Sequence, residues 1–122
     1  MTQFSGTSDA GTANITNQGG IGTNGVGGTG GGTTFNATAS ADEAIILNLA
    51  GTDAGEGGRT GFIGDSTAGD ATITSNGAIG FNNGAGFVTF SGTSDAGTAM
   101  ITAGGGGALG SGAMTSFTEN SV

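Results

Sequence analysis

The sequence predicts an all-β fold, a parallel β-solenoid (β-helix) of about four and a half coils with 27–31 residues per coil. One unit recurs in phase along the whole chain. Within that unit, apolar and small residues alternate with a period of two, the spacing of a strand with one face turned inward. Finally, 30 glycines beside only seven phenylalanines leave too little bulk for an ordinary globular core of 122 residues.

The repeat is the strongest of these signals, and internal periodicity of this length is the mark of stacked architectures. Aligned on phenylalanine, the chain reads Thr2-Gln3-Phe4, Thr33-Thr34-Phe35, Thr60-Gly61-Phe62, Val88-Thr89-Phe90 and Thr115-Ser116-Phe117, with Phe-to-Phe spacings of 31, 27, 28 and 27. Downstream the columns stay in phase: Ala10, Ala41, Ala68 and Ala96; then Ala13, Ala44, Ala71 and Ala99; then Ile15, Ile46, Ile73 and Ile101. The segment from Phe4 to Ala13 recurs unchanged from Phe90 to Ala99. The units are therefore 2–32, 33–59, 60–87, 88–114 and a partial 115–122, forming one array. Phenylalanine, both alanines and the isoleucine are the expected inward columns.

Taken in chain order, each unit opens on a strand in which Phe, the residue two on, the residue four on and the first Ala share one face. The alternation slips once between the two alanines, where Gly11, Gly69 and Gly97, or Asp42 in the second unit, would supply a bend. A second strand follows through Ala13 and Ile15, with Asn14 and Thr16 outward. The tracts 19–32, 51–58, 77–86 and 104–112 are rich in turn residues and read as loops on one side. Ile21, Ile79 and Leu109 mark a third short strand in some of them. Glycine and threonine are poor helix formers. The competing readings are an antiparallel sandwich with accidental similarity, and disorder, which glycine at this level would ordinarily favour. Disordered chains are usually rich in Pro, Lys, Glu and Gln, which are scarce or missing here, and the column agreement favours the solenoid.

Charge and composition narrow the function. A net charge of −8, with Arg59 as the one basic side chain, disfavours nucleic acid, because phosphate contacts need Lys and Arg. No apolar run approaches the roughly 20 residues of a membrane-spanning helix. Without His, Cys, Lys or Tyr, the usual bases and activated nucleophiles are missing, and only carboxylates and hydroxyls remain. The pairs Asp42/Glu43 and Asp53/Glu56 beside Arg59 are the candidates for carboxylate glycosidase chemistry. Adjacent strand residues face opposite ways, and solvated turn charges are the simpler account, so no enzyme activity is expected. The glycines of 27–32 lack the lysine and helix of a phosphate-binding loop. Aspartates on stacked turns could bind calcium. Asp9 and Asp95 share a column, but Ser40 and Thr67 interrupt it, and no cofactor is expected.

The unit F-x-x-x-S-x-A-G-x-A-x-I-T-x, clearest at 4–17, 62–76 and 90–102, resembles the β-strand repeats in the passenger regions of bacterial autotransporter-type surface proteins. That resemblance spans the chain and implies an extracellular or cell-surface stalk or adhesin segment, with no catalytic residues to carry over. The second unit departs from the pattern at Asp42, Leu47 and Leu49. Neither end shows a polar cap or a blocking proline, so the end coils are expected to pair, with a longer array or head-to-tail with other copies. The expected function is a self-stacking filament subunit or stalk. The alternative is ice or polysaccharide binding on an outward threonine face, with Thr16, Thr74 and Thr102 as its candidate residues.

Overall fold

The computed structural model describes residues 1–24 and 26–122; Gly25, in the first glycine tract, lies outside the described residues. The fold is a parallel β-solenoid, and each coil adds one strand to each of two sheets. The five-stranded sheet stacks β1 (Thr2–Phe4), β3 (Gly32–Ala37), β5 (Arg59–Gly64), β7 (Phe87–Gly92) and β9 (Met114–Phe117). The four-stranded sheet stacks β2 (Asn14–Asn17), β4 (Ile45–Asn48), β6 (Thr72–Ser75) and β8 (Met100–Ala103). The strand pairings within both sheets are parallel and keep the repeat in register: Phe4, Phe35, Phe62, Phe90 and Phe117 are successive partners, as are Ile15, Ile46, Ile73 and Ile101.

Between the two sheets runs a short third side. Across it successive coils pair through a single bridge per step, Asp9 to Ser40 to Thr67 to Asp95. Two left-handed corners bound it. The second corner is the expected one, with Gly11, Asp42, Gly69 and Gly97 at φ values of 53°, 54°, 62° and 60°. Aspartate tolerates this region because its short polar side chain bonds locally. The first corner corrects the sequence reading. The residue two beyond Phe does not continue the inward alternation; Gly6, Ala37, Gly64, Gly92 and Glu119 all turn left-handed, with φ from 58° to 76°. Period two persisted through the corner in the sequence because the residue four on, Ala39, Ser66 or Ser94, is buried again once the chain has turned.

The core is narrow and layered. Phe35, Phe62, Phe90, Ala41, Ala44, Ala68, Ala71, Ile46 and Ile73 are fully buried. In the end coils the same columns open to solvent: Phe4, Ala10, Ile15, Ala96, Ala99 and Ile101 are half-buried, Ala13 is exposed, and Phe117 is 47% exposed. The five rings form one stack, with centroids 4.7–4.9 Å apart and planes within 8° of parallel. Carbon atoms in contact prefer about 3.5–4.0 Å, so rings spaced by the strand ladder must be slipped sideways, which is the offset arrangement aromatic pairs favour.

The glycine tracts depart most from expectation. Among the described residues they contain no third strand: Ile21 makes one bridge to Thr52, and Ile21, Ile79 and Leu109 are exposed. Nor are they open loops. Each is an excursion pinched at its base by a backbone bond: Gly31 N–H to Gln18 O, Gly58 to Leu49, Gly86 to Asn76 and Ala113 to Gly104, at 2.7–2.8 Å. Successive excursions lie backbone against backbone, as in Gly20 N–H to Glu56 O and Gly51 N–H to Gly84 O. A Cβ on Gly57 would fall 1.9 Å from Ala85 O, and one on Gly55 2.0 Å from Gly20 O. Glycine is needed there for close approach.

Two expectations follow for stability. Phe62→Ala should lose about 3–5 kcal/mol in urea unfolding, and Phe4→Ala clearly less, because Phe4 has one stacked neighbour and is already part-exposed. Gly57→Ala should lower the thermal midpoint sharply, as a Cβ pressed on backbone cannot relax by a rotamer change. The same change at Gly105, where a Cβ meets nothing within 4 Å, should leave the midpoint nearly unchanged.

Candidate functional site

Three surfaces and one internal feature were candidates for function. The first surface is the open sheet edge at each end of the solenoid. On β9, Met114 and Thr118 donate their N–H groups to Gly86 O and Phe90 O of the preceding coil. A parallel ladder uses alternate residues on each side, so the backbone groups of Thr115 and Phe117 point away from β7, to the open edge. Phe117 presents its uncovered ring on the same end. β1 and Phe4 offer the matching surface at the opposite end.

The second surface is the outward face of the four-stranded sheet. The predicted residues do share a column, Thr16 with Leu47, Thr74 and Thr102 in strict register. Leu47 breaks the row of hydroxyls. The next column holds Asn14, Ile45, Thr72 and Met100, with Ile45 54% and Met100 62% exposed. The face therefore mixes polar and apolar groups without a continuous hydroxyl row: the second coil presents Ile45 and Leu47, the third Thr72 and Thr74.

The third is the acidic short side, where the repeated column has a local task. Asp95 Oδ1 accepts from Gly97 N–H at 2.7 Å, Thr67 Oγ1 from Gly69 N–H at 3.0 Å, and Ser40 Oγ from Asp42 N–H at 2.9 Å. Aspartate, serine and threonine interchange there because each can cap the left-handed corner. Thr93 and Thr98 donate across one coil to Asp65 and Asp70. Among the described residues, no three carboxylates gather closely enough to hold a metal ion. Asp42 sits in a corner beside Glu43, both exposed. Asp53 and Glu56 belong to a glycine excursion, while Arg59 opens β5 and packs its side chain over Gly32.

The internal feature escaped the sequence reading. Asn17, Asn48 and Ser75 are successive partners at the end of the four-stranded sheet, facing Thr33 and Thr60 across the interior, and all five are buried. Asn17 Nδ2 donates to Asn48 Oδ1 at 2.8 Å and to Thr60 Oγ1 at 3.2 Å, while Thr33 Oγ1 donates to Asn17 Oδ1 at 2.8 Å. Thr60 Oγ1 donates in turn to Asn48 Oδ1 at 2.8 Å, and Asn48 Nδ2 donates to Ser75 Oγ and Phe87 O at 3.1 and 3.3 Å. Every donor and acceptor of the Asn48 amide is thereby satisfied. The ladder ends where Val88 and Ala103 take over the two columns. The available signal was the alignment of Asn17 with Asn48 and of Thr33 with Thr60, two columns of polar residues that the repeat holds in phase.

These features define the chain as a β-solenoid repeat protein with an aromatic spine and a buried amide ladder. Compared with models of protein families, with curated proteins and with solved structures, it matches none.

Removing the Asn48 side chain leaves the Thr60 hydroxyl hydrogen and one Asn17 amide hydrogen without their acceptor in the buried interior, where an unsatisfied group costs about 1–3 kcal/mol. Asn48→Ala should therefore cost more in urea unfolding than Ser75→Ala, which removes a single hydrogen-bond partner at the ladder's end.

Proposed function

We propose that this chain is a non-enzymatic structural protein, a segment of a self-stacking filament or stalk at a bacterial cell surface or in the extracellular matrix. The observation that carries this reading is the interchangeability of the coils. Both sheets, the phenylalanine stack and the corners repeat at one spacing, and the end edges present the same backbone pattern that joins the inner coils. A second copy laid on β9 would set its Phe4 over Phe117 as Phe117 lies over Phe90. Open strand edges with a flat, repeated side-chain pattern favour such addition. The likeness of the unit to autotransporter-type repeats supports the surface location. The scarcity of catalytic side-chain types supports a mechanical rather than chemical role.

Electron microscopy of the purified chain at neutral pH tests the reading. Ordered filaments with an axial repeat near the ~4.8 Å strand spacing are expected, and dispersed monomers would refute self-stacking. Thr115→Pro removes an N–H that points to the open edge and leaves the bonds to β7 intact. It should abolish filaments while the circular-dichroism spectrum stays that of a β protein.

A further inference from the structure

The tips of the glycine excursions hold side chains that the fold does not use. Along the solenoid axis, the tips at Thr23-Asn24, Asp53-Ala54 and Phe81-Asn82 stack beside one another, and they line an open cleft of about 620 Å³. Asn24, Asp53, Ala54 and Asn82 all take left-handed backbone conformations, with φ of 53°, 53°, 69° and 62°. Asn83 braces the cleft from behind. Its Oδ1 accepts from Ala54 N–H at 2.8 Å and its Nδ2 donates to Ile79 O, which ties the second and third tips together.

Phe81 makes this cleft unusual for the molecule. The five phenylalanines of the spine stack in the core or cap it, whereas Phe81 is 75% exposed at the tip of an excursion. Leaving an aromatic ring in water gains nothing for folding, and exposed aromatics beside convergent polar groups mark binding surfaces. The neighbouring groups are an amide at Asn24, an amide at Asn82, a carboxylate at Asp53 and a hydroxyl at Thr23. Amides and carboxylates can bond pairs of adjacent hydroxyls, and an aromatic face receives the C–H face of a sugar ring. With a net charge of −8, the protein repels anionic polymers.

We propose that the cleft formed by Thr23, Asn24, Asp53, Phe81 and Asn82 binds a neutral glycan, one sugar ring lying on Phe81 and its hydroxyls meeting the three Asx side chains. The cleft is built from the first three excursions of one chain, so it is complete without a second copy.

The test is an NMR titration of backbone amides, using Thr115→Pro to keep the sample dispersed if the parent chain assembles. The probes are cellohexaose, chitohexaose and, as the anionic comparison, hexagalacturonate. Saturable shifts confined to residues 23–24, 53–54 and 80–83 with at least one neutral probe, and none with hexagalacturonate, are expected. Phe81→Ala should weaken binding by roughly tenfold or more. Asn82→Gly separates the roles of that residue. Glycine accepts the same positive φ, so the thermal midpoint should hold while affinity falls several-fold. No shifts with either neutral probe, equal binding of hexagalacturonate, shifts centred on Thr16, Thr74 and Thr102, or unchanged affinity in Phe81→Ala would each overturn the proposal.

Discussion

Everything in this molecule is set by the distance between hydrogen-bonded parallel strands. Each coil must lie about 4.8 Å from the next, so each side chain meets its counterpart from the neighbouring unit at that separation. A sequence satisfies the constraint only if every column holds a residue that packs well on its own kind. Phenylalanine does so by slipping its rings, as the centroid spacings of 4.7–4.9 Å record. Alanine does so by being small, and asparagine by bonding from coil to coil, Asn17 Nδ2 to Asn48 Oδ1 and Asn48 Nδ2 to Ser75 Oγ.

The same constraint explains how so little apolar bulk sustains a fold. A globular core must be filled from all directions, whereas here the cross-section is closed by backbone on every side. The interior needs only one aromatic, two alanines, one isoleucine and one further small residue (Ala39, Ser66 or Ser94) per coil, with a polar rung in the coils before Val88 and Ala103. The polar rung carries risk, because a half-satisfied amide would be worse than an apolar contact. In this chain the Asn48 amide has a partner for each of its hydrogens and lone pairs. The network then stops cleanly at Val88 and Ala103, without leaving an amide facing a hydrocarbon column.

Glycine has two distinct uses. At the corners it accepts positive φ, and there Asp42, Ala37 and Glu119 can replace it at some cost. In the excursions it removes the side chain so that one backbone can rest on another, and there a Cβ would overlap a carbonyl, as at Gly57. The second use converts what would be loose loops into a packed flank. That flank displays Ile21, Ile79, Phe81 and Leu109 to solvent, and the cleft at its tips is held by backbone bonds.

How much was legible in the sequence divides along the same line. The repeat, the strand period and the four inward columns were readable because register is a one-dimensional property: residues in phase along the chain become neighbours when equal coils are stacked. The β-solenoid followed directly from it, and so did the corner at Gly11, Asp42, Gly69 and Gly97. Which way the chain turns between columns was not readable. The corner at Gly6, Ala37 and Gly64 preserves the parity of buried positions, so a turn and a straight strand give the same pattern. The excursions hid their packing because contacts between glycine backbones leave no side-chain signature. The column of Asn17 and Asn48 was visible, but its burial was not. Only the closed coil brings Thr33 and Thr60 across the interior to meet it, and polar residues in a strand are otherwise expected to face water. The sequence by itself determined that equal coils stack in register; the tertiary structure decided where each coil bends and which polar groups it encloses, because those depend on contacts across the coil that no periodicity records.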